Sequence, residues 1–155
     1  MIFASLGTTN TAFTRMAKAV DDFAATTSEE VIVQTGHTDY EYKYAIAFKY
    51  CTKDEMQSYI DKADILILQG GWGAISEAME KRKRIVVIPR IDGVEHIHDQ
   101  IQLVKKLDSL GCVIGVFDEN DLPQKIAKAY DHEFTQIKRG SAEGIIRSKL
   151  KEWFG

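Results

Sequence analysis

The chain is organised around the stretch ILILQGGWGAISE, residues 65–77. Its first four residues form a continuous apolar run, which is typical of a parallel strand covered on both faces. The glycines that follow let the backbone approach an anion closely. A helix predicted from about Ala74 would add free N–H groups and the positive end of its dipole. The stretch therefore predicts either a cradle for a diphosphate or a tight strand-to-helix turn without a ligand.

Short apolar runs alternate with helical patterns along the rest of the chain. Strands are predicted at residues 2–6, 30–34, 44–50, 65–68, 85–88 and 112–117, and helices at residues 11–25, 53–63, 74–82, 98–110 and 121–129. Residues 141–155 are predicted to form a C-terminal amphipathic helix. We therefore expect one domain over residues 1–155, an α/β fold with a doubly wound, mostly parallel, six-stranded Rossmann-like sheet in the order 3-2-1-4-5-6.

Composition excludes several classes of function. The formal net charge of −3 provides no basic field for a nucleic acid. No run approaches 18 apolar residues, so no direct membrane span is predicted. Two cysteines in apolar surroundings are typical of a reducing, cytosolic compartment. Neither a Walker motif nor a dinucleotide fingerprint follows the first strand, which disfavours an NTPase and a dehydrogenase.

Two glycine-bearing loops are expected to meet in one crevice. In the predicted strand order, the first and fourth strands lie side by side where the winding reverses, and ligands bind outside their carboxyl ends. Those ends are Gly7-Thr8-Thr9 and Gly70-Gly71-Trp72-Gly73. Glu77, expected in the first turn of the next helix, either accepts hydrogen bonds from ribose hydroxyls or simply complements the helix dipole.

Two further loops carry polar side chains at the same edge. Gln34-Thr35-Gly36-His37 is either a plain turn with Gly36 at positive φ or the source of a general base, His37. The run Glu95-His96-Ile97-His98-Asp99-Gln100 could supply zinc ligands, surface or capping histidines, or a sugar-binding loop, with Gln100 as the best sugar ligand. Because no Asp-x-Asp motif is present, a diphosphate here would be neutralised by N–H groups and a helix dipole, and no metal site is predicted.

Taken together, these motifs resemble a known family. The chain resembles the C-terminal, donor-binding half of the GT-B glycosyltransferases of family 28. It is most similar to stand-alone versions of that half, the PssE-like subunits and the catalytic subunit of the two-part dolichol-linked GlcNAc transferase. The resemblance rests on Met1-Ile2-Phe3 with Gly7 and Thr8, Phe13 and Arg15, the run 31–37, Ala63-Asp64, the run 70–77, and the run 87–90 followed by Glu95, His96 and Gln100.

The resemblance implies a role for each matching residue. Gly7 and Thr8 would line the phosphate side, the segment 71–74 would contact the diphosphate, and Glu77 would hold the ribose. Gln100 would reach the sugar or its phosphate, and the segment near Tyr50 and Cys51 would hold the uracil. Trp72 stands where the family generally has a small residue. The full donor-binding set is Gly7, Thr8, Thr9, Gln34, Gly36, Tyr50, Gly70, Gly71, Trp72, Gly73, Ala74, Glu77, Glu95, His96 and Gln100, with His37 as the candidate base.

The resemblance also implies an activity. A UDP-sugar would be the donor substrate, with no cofactor, in an inverting, metal-independent hexosyl transfer to a polyprenyl-linked saccharide for capsule or exopolysaccharide. The acceptor site would belong to a PssD-like membrane-associated partner, which would hold the chain at the cytoplasmic face of the membrane. The alternatives are a non-catalytic nucleotide-sugar-binding regulatory module and an independent nucleotide-sugar epimerase or hydrolase.

Overall fold

A computed structural model describes residues 1–91, 93–95, 99–137, 148 and 150–153 of the chain. Strands and helices alternate through most of this part. In chain order the elements are β1 (Ile2–Ser5), α1 (Thr14–Ala24), β2 (Val31–Gln34), β3 (Ile46–Phe48), α2 (Lys53–Lys62), β4 (Ile65–Gln69), α3 (Trp72–Glu80), β5 (Arg84–Ile88), α4 (Gln100–Ser109), β6 (Ile114–Gly115) and α5 (Leu122–Asp131).

The six strands form one sheet in the order β3-β2-β1-β4-β5-β6, and every neighbouring pair is parallel. This confirms the predicted fold class and strand order. Ser5 at the end of β1 pairs with Gln34 of β2 on one side and with Leu68 of β4 on the other. The winding therefore reverses between β1 and β4, and the loops after these two strands emerge next to each other.

An apolar core covers each face of the sheet, which explains the continuous apolar runs of β4 and β5. Alternate residues of each strand point to opposite faces. Ile2 and Ala4 pack with the helices α1 and α5, whereas Phe3 packs on the other face with the second core. The helical members of that second core are Ile60, Ile75, Ala78, Met79, Val104 and Leu107.

Four strands are shorter than predicted, β1 and β2 by one residue each and β3 and β6 at both ends. β3 begins at Ile46 rather than at residue 44, because the backbone N–H groups of Tyr44 and Ala45 donate to the carboxylate of Asp21 instead of a neighbouring strand. β6 begins at Ile114 rather than at residue 112, because the N–H of Cys112 donates to the carbonyl of Leu107 at the end of α4. β3 is therefore a three-residue edge strand.

Three helix boundaries bear on the site predictions. α3 begins at Trp72 rather than at Ala74, so Glu77 lies in the second helical turn and not in the first. This helix ends at Glu80, two residues before Arg82 with its left-handed φ of 54°. α4 begins at Gln100, because Asp99 caps it by accepting from the N–H of Gln102. Of the predicted C-terminal helix only residues 148 and 150–153 are described, all helical, and the rest lies outside the described residues.

The connection from β2 to β3 is held by a buried carboxylate. Asp21 on α1 is 2% exposed and accepts backbone N–H groups from Lys43, Tyr44 and Ala45 at 2.9–3.3 Å. Burial of the carboxylate raises its pKa, but these hydrogen bonds outweigh burial, and the net pKa of Asp21 is lowered.

Replacing Asp21 with asparagine is expected to lower the free energy of unfolding by about 2 kcal/mol at neutral pH, because hydrogen bonds to charged acceptors contribute about 1.5–3 kcal/mol. Since the folded pKa lies below the unfolded value, this stabilisation is present above the unfolded pKa of about 3.9 and is lost as the pH falls through the folded pKa. The free energies of unfolding of the original chain and of Asp21→Asn, measured with urea from pH 7 towards pH 3, should converge. Asp22→Asn, beside it on the exposed face, should change little. A pH-independent difference would contradict this assignment.

Candidate functional site

The loops after β1 and β4 enclose a cavity of about 350 Å³, which we call the β1–β4 cavity. This volume is within the usual range for small-ligand sites. Apolar side chains of β1, β4 and α2, such as Phe3, Leu66 and Ile60, form part of its wall. Eight of the predicted donor-binding residues line it together, namely Gly7, Thr8, Thr9, Gln34, Gly71, Gly73, Ala74 and Glu77.

One wall of the cavity is the uncapped start of α3. The N-cap residue is Gly71, which has no side chain to accept from the first-turn N–H groups. By contrast, α2 carries a full capping box between Thr52 and Glu55, and α4 is capped by Asp99. The first turn of a helix leaves its N–H groups without intrahelical partners, and these groups attract anions. The start of α3 can therefore bind an anionic group from the cavity.

The opposite wall is the segment after β1. Gly7 has a left-handed φ of 84°, which turns the chain away from the sheet. The hydroxyl oxygen of Thr9 is buried and has no hydrogen-bond partner among the described residues, although Thr9 lines the cavity. Ser5 Oγ donates to Gln34 Oε1 at 2.6 Å below this segment. Because buried polar groups nearly always have partners, the Thr9 hydroxyl is an unsatisfied polar group in this wall.

Gly36 fixes the distance between the loops after β1 and β2. Its φ is 57°, which agrees with the turn geometry expected from the sequence. A Cβ atom at this position would lie 2.2 Å from the carbonyl oxygen of Gly7. The two backbones are therefore in direct contact, and only glycine fits between them.

Glu77 reaches the cavity from the second turn of α3. Its carboxylate accepts a hydrogen bond from the side-chain amide of Gln57 on α2, so the two helices are joined beside the cavity. A carboxylate has capacity for several donors, so this bond leaves Glu77 able to accept from a ligand hydroxyl.

Gln100 lies behind the glycine loop rather than in the cavity lining. Its side chain is 5% exposed, its Oε1 accepts from the N–H of Arg90 at 2.9 Å, and its Nε2 donates to Gln69 Oε1 at 2.7 Å. A Cβ atom on Gly70 would lie 2.8 Å from Gln100. In this structure Gln100 therefore supports the loop that carries Gly70, and neither residue lines the cavity. Trp72 also lies outside the lining, with its indole half-exposed.

The structure does not bring His37 and Tyr50 into the β1–β4 cavity. His37 and Gly36 line a separate, open hollow of about 480 Å³, together with residues 35, 38–40, 42 and 47–49. Tyr50 is half-exposed, with its ring edge-on to His37 at 5.9 Å between centroids. No carboxylate among the described residues forms a hydrogen bond with His37. Cys51 is a half-buried free thiol whose pKa is raised by burial.

Glu95 is part of an ion-pair cluster outside the cavity lining. Its carboxylate accepts from Arg15 at 2.9 Å and from the N–H of Ile91 at 2.8 Å. Burial of the Arg15 guanidinium works against its charge, but Glu95 and then Glu119 outweigh this, so the pKa of Arg15 is raised. The other predicted residue of this loop, His96, lies outside the described residues.

Arg90 is a buried residue to which the motifs assigned no role. Its side chain is 1% exposed and packs on the ring of Phe13, 4.5 Å from the centroid. Burial lowers the pKa of Arg90, and the charge of Glu95 opposes this shift. The sequence signal was present, because the arginine directly follows the apolar run 85–88 and Pro89, where the chain is still inside the core.

Among the residues that the structure describes, no three histidine, cysteine, aspartate or glutamate side chains are grouped so that they could hold a metal ion. In the same part of the chain, every helix is too short or too polar to cross a bilayer.

Known proteins resemble the chain in sequence pattern and in fold. Residues 1–152 match the model for "Glycosyltransferase family 28 C-terminal domain". No curated protein sequence matches the chain. The spinosyn forosaminyltransferase SpnP is similar in structure, with a TM-score of 0.61 at 15% identity over 83% of this chain and 34% of that one. The glycotransferase of kitacinnamycin has a TM-score of 0.62 at 19% identity, over 83% of this chain and 34% of that one. SnogD from Streptomyces nogalater, also a glycosyltransferase, has a TM-score of 0.54 at 17% identity, over 84% of this chain and 38% of that one.

Proposed function

The chain belongs to the glycosyltransferase family 28 C-terminal domains, and we propose that it binds a UDP-sugar in the β1–β4 cavity and donates the sugar to a lipid-linked saccharide. One observation supports the donor site above all others. The uncapped start of α3 and the Gly7–Thr9 segment face the same cavity where the sheet winding reverses.

In this proposal the diphosphate lies between the start of α3 and the segment 7–9. The free N–H groups of α3 and the hydroxyl of Thr9 donate to phosphate oxygens, and no divalent ion is required. Glu77 accepts from the ribose hydroxyls with the acceptor capacity that its bond from Gln57 leaves free. Tyr50 and Cys51, to which the resemblance assigns the uracil, lie outside the cavity lining, so in this proposal the uracil extends beyond the β1–β4 cavity.

The proposed transfer inverts the anomeric centre. The acceptor hydroxyl oxygen forms a bond to the anomeric carbon while the bond from that carbon to the diphosphate oxygen breaks. A base accepts the hydroxyl proton, and UDP leaves with the bonding electrons. The start of α3 stabilises the negative charge that develops on the leaving diphosphate. The base comes from a partner or from His37, which lies on the adjoining loop.

The proposal includes a partner subunit. The chain spans about a third of the length of the glycosyltransferases that it resembles in structure. In GT-B enzymes the acceptor lies in the other half of the molecule. We therefore propose a PssD-like, membrane-associated partner that presents a polyprenyl-linked acceptor at the cytoplasmic face, in capsule or exopolysaccharide synthesis.

The donor site is tested first by thermal unfolding with nucleotides. UDP at a hundred times its dissociation constant should stabilise the folded chain by about 2.7 kcal/mol, which corresponds to a rise of about 5–10 °C in the melting temperature. ADP at the same concentration is the matched control, and we expect a much smaller rise. Equal rises with both diphosphates would point to an anion site without uridine recognition, and no rise with UDP would refute the proposal.

The activity is tested with a radiolabelled UDP-sugar, a polyprenyl-linked acceptor and the chain with or without its partner. Transfer that needs both the partner and Glu77 is the expected result. UDP binding without turnover under all conditions would instead indicate the regulatory module, and release of free sugar without an acceptor would indicate a hydrolase.

A further inference from the structure

Arg90 is a buried cation held by carbonyl groups rather than by a carboxylate. Nη1 donates to the carbonyl oxygens of Thr11 at 2.9 Å and Glu95 at 3.2 Å, and Nη2 donates to that of Leu6 at 2.9 Å. Among the described residues no carboxylate oxygen is hydrogen-bonded to this guanidinium, and its Nε has no partner. Such a cation is costly to bury, because its desolvation is not repaid by a direct ion pair.

The neighbouring arginine shows the contrast. Arg15 lies near the same Phe13 ring, but its guanidinium is paired with the carboxylates of Glu95 and Glu119 at 2.9 and 3.2 Å. The carboxylate of Glu95 thus accepts from Arg15, and only its backbone carbonyl accepts from Arg90. The acidic groups of this cluster are bonded to Arg15, and Arg90 faces the backbone of the segment that follows β1.

Arg90 connects both walls of the β1–β4 cavity. Its guanidinium donates hydrogen bonds to the carbonyl oxygens of Leu6 and Thr11. These two residues flank the segment 7–10, which carries the cavity residues Gly7, Thr8 and Thr9. Its backbone N–H donates to Gln100. The amide of Gln100 in turn donates to Gln69, whose side chain would be 2.3 Å from a Cβ atom on Gly71. One residue therefore fixes the segment after β1 and, through two amides, the start of α3.

We propose that Arg90 is the positioning residue for the phosphate side of this cavity, where it shapes the segment 7–10 and adds positive charge behind it. The inference rests on the proposed function and extends it to one group of the ligand, the diphosphate. The nucleoside would be recognised by other residues. Loss of Arg90 should therefore weaken binding of a nucleoside diphosphate and leave binding of the nucleoside unchanged.

The test measures two affinities of the full chain. The affinity for UDP is measured by titration calorimetry, and the affinity for uridine is measured by NMR titration. Arg90→Met should weaken UDP binding about tenfold or more, equivalent to about 1.4 kcal/mol, with uridine affinity within about twofold of the original. Arg90→Lys restores the charge and should recover part of the UDP affinity. Arg84→Met is the matched control. Arg84 is the first residue of β5, so it lies at the end of that strand opposite to Arg90. Its substitution should change neither affinity.

Each outcome decides the question. Equal weakening of UDP and uridine in Arg90→Met would reduce Arg90 to a general folding role and overturn the inference, as would unchanged binding of both. If Arg90→Met does not fold, Arg90→Lys takes its place: a loss confined to UDP supports the inference, and equal losses overturn it. An unmodified chain that binds no UDP would overturn the proposed function as well, so the two failures are distinguishable.

Discussion

Replacing Gly36 with alanine is expected to lower the free energy of unfolding by about 3 kcal/mol or more. A left-handed backbone costs an L-residue roughly 1–2 kcal/mol, and Gly36 has a φ of 57°. The new Cβ would also lie 2.2 Å from the carbonyl oxygen of Gly7, so one of the two backbones must move. Overpacking of this kind typically costs a further 1–3 kcal/mol. Urea or guanidinium unfolding of the purified variant measures the loss.

Gly73→Ala is the matched control for this substitution. Gly73 lies inside α3, and nothing approaches within 4 Å of a Cβ atom there. Alanine is favoured over glycine in a helix by up to about 1 kcal/mol, so this variant should be at least as stable as the original chain. If Gly36→Ala unfolds at the same denaturant concentration as Gly73→Ala, the contact between the loops after β1 and β2 is not as described.

Replacing Glu77 with glutamine is expected to weaken UDP binding by roughly tenfold to a hundredfold. In the proposed site the carboxylate accepts from two ribose hydroxyls, and hydrogen bonds to a charged acceptor contribute about 1.5–3 kcal/mol. An amide keeps only one acceptor atom. Because uridine carries the same ribose, its affinity should fall by a similar factor. That pattern differs from the one expected for Arg90, where the loss is confined to UDP.

A ligand that lacks a hydroxyl gives the sharper test. UDP without a ribose hydroxyl should bind the original chain more weakly than UDP does, whereas Glu77→Gln should distinguish the two ligands far less. Gln57→Ala provides the control within the protein, since it removes the partner of the Glu77 carboxylate but leaves the carboxylate in place. We expect its UDP affinity to stay within about twofold. If it loses affinity as Glu77→Gln does, Glu77 acts by joining α2 to α3.

The sheet could be predicted because its signals are local. Continuous apolar runs such as residues 65–68 and 85–88 predicted central parallel strands, and those strands lie buried on both faces. The strand order then placed Gly7 and Gly71 in one cavity, as observed. The ends of elements were less predictable, because β3 loses its first N–H groups to Asp21, a residue 23 positions away.

The polar supports of the site were not predictable from the sequence. Gln100 was expected to face a sugar, but its amide is used by Arg90 and Gln69. Glu95 was expected near the donor, but it pairs with Arg15, which is 80 positions earlier in the chain. Such choices depend on which groups the fold brings within hydrogen-bond distance, and no residue spacing encodes them. A glycine, by contrast, indicates by itself that the backbone at its own position needs a positive φ or a close approach to another chain segment.

The short edge strand β3 has a consequence for self-association. An open sheet edge presents unpaired backbone groups to other molecules, and long, flat edges promote aggregation. β3 offers only three residues, although Ile46 is exposed on it. Lys43 and Lys49, both exposed, flank this strand. Their like charges repel the same edge of a second copy, so the open side of the sheet is protected against growth into a larger β-assembly.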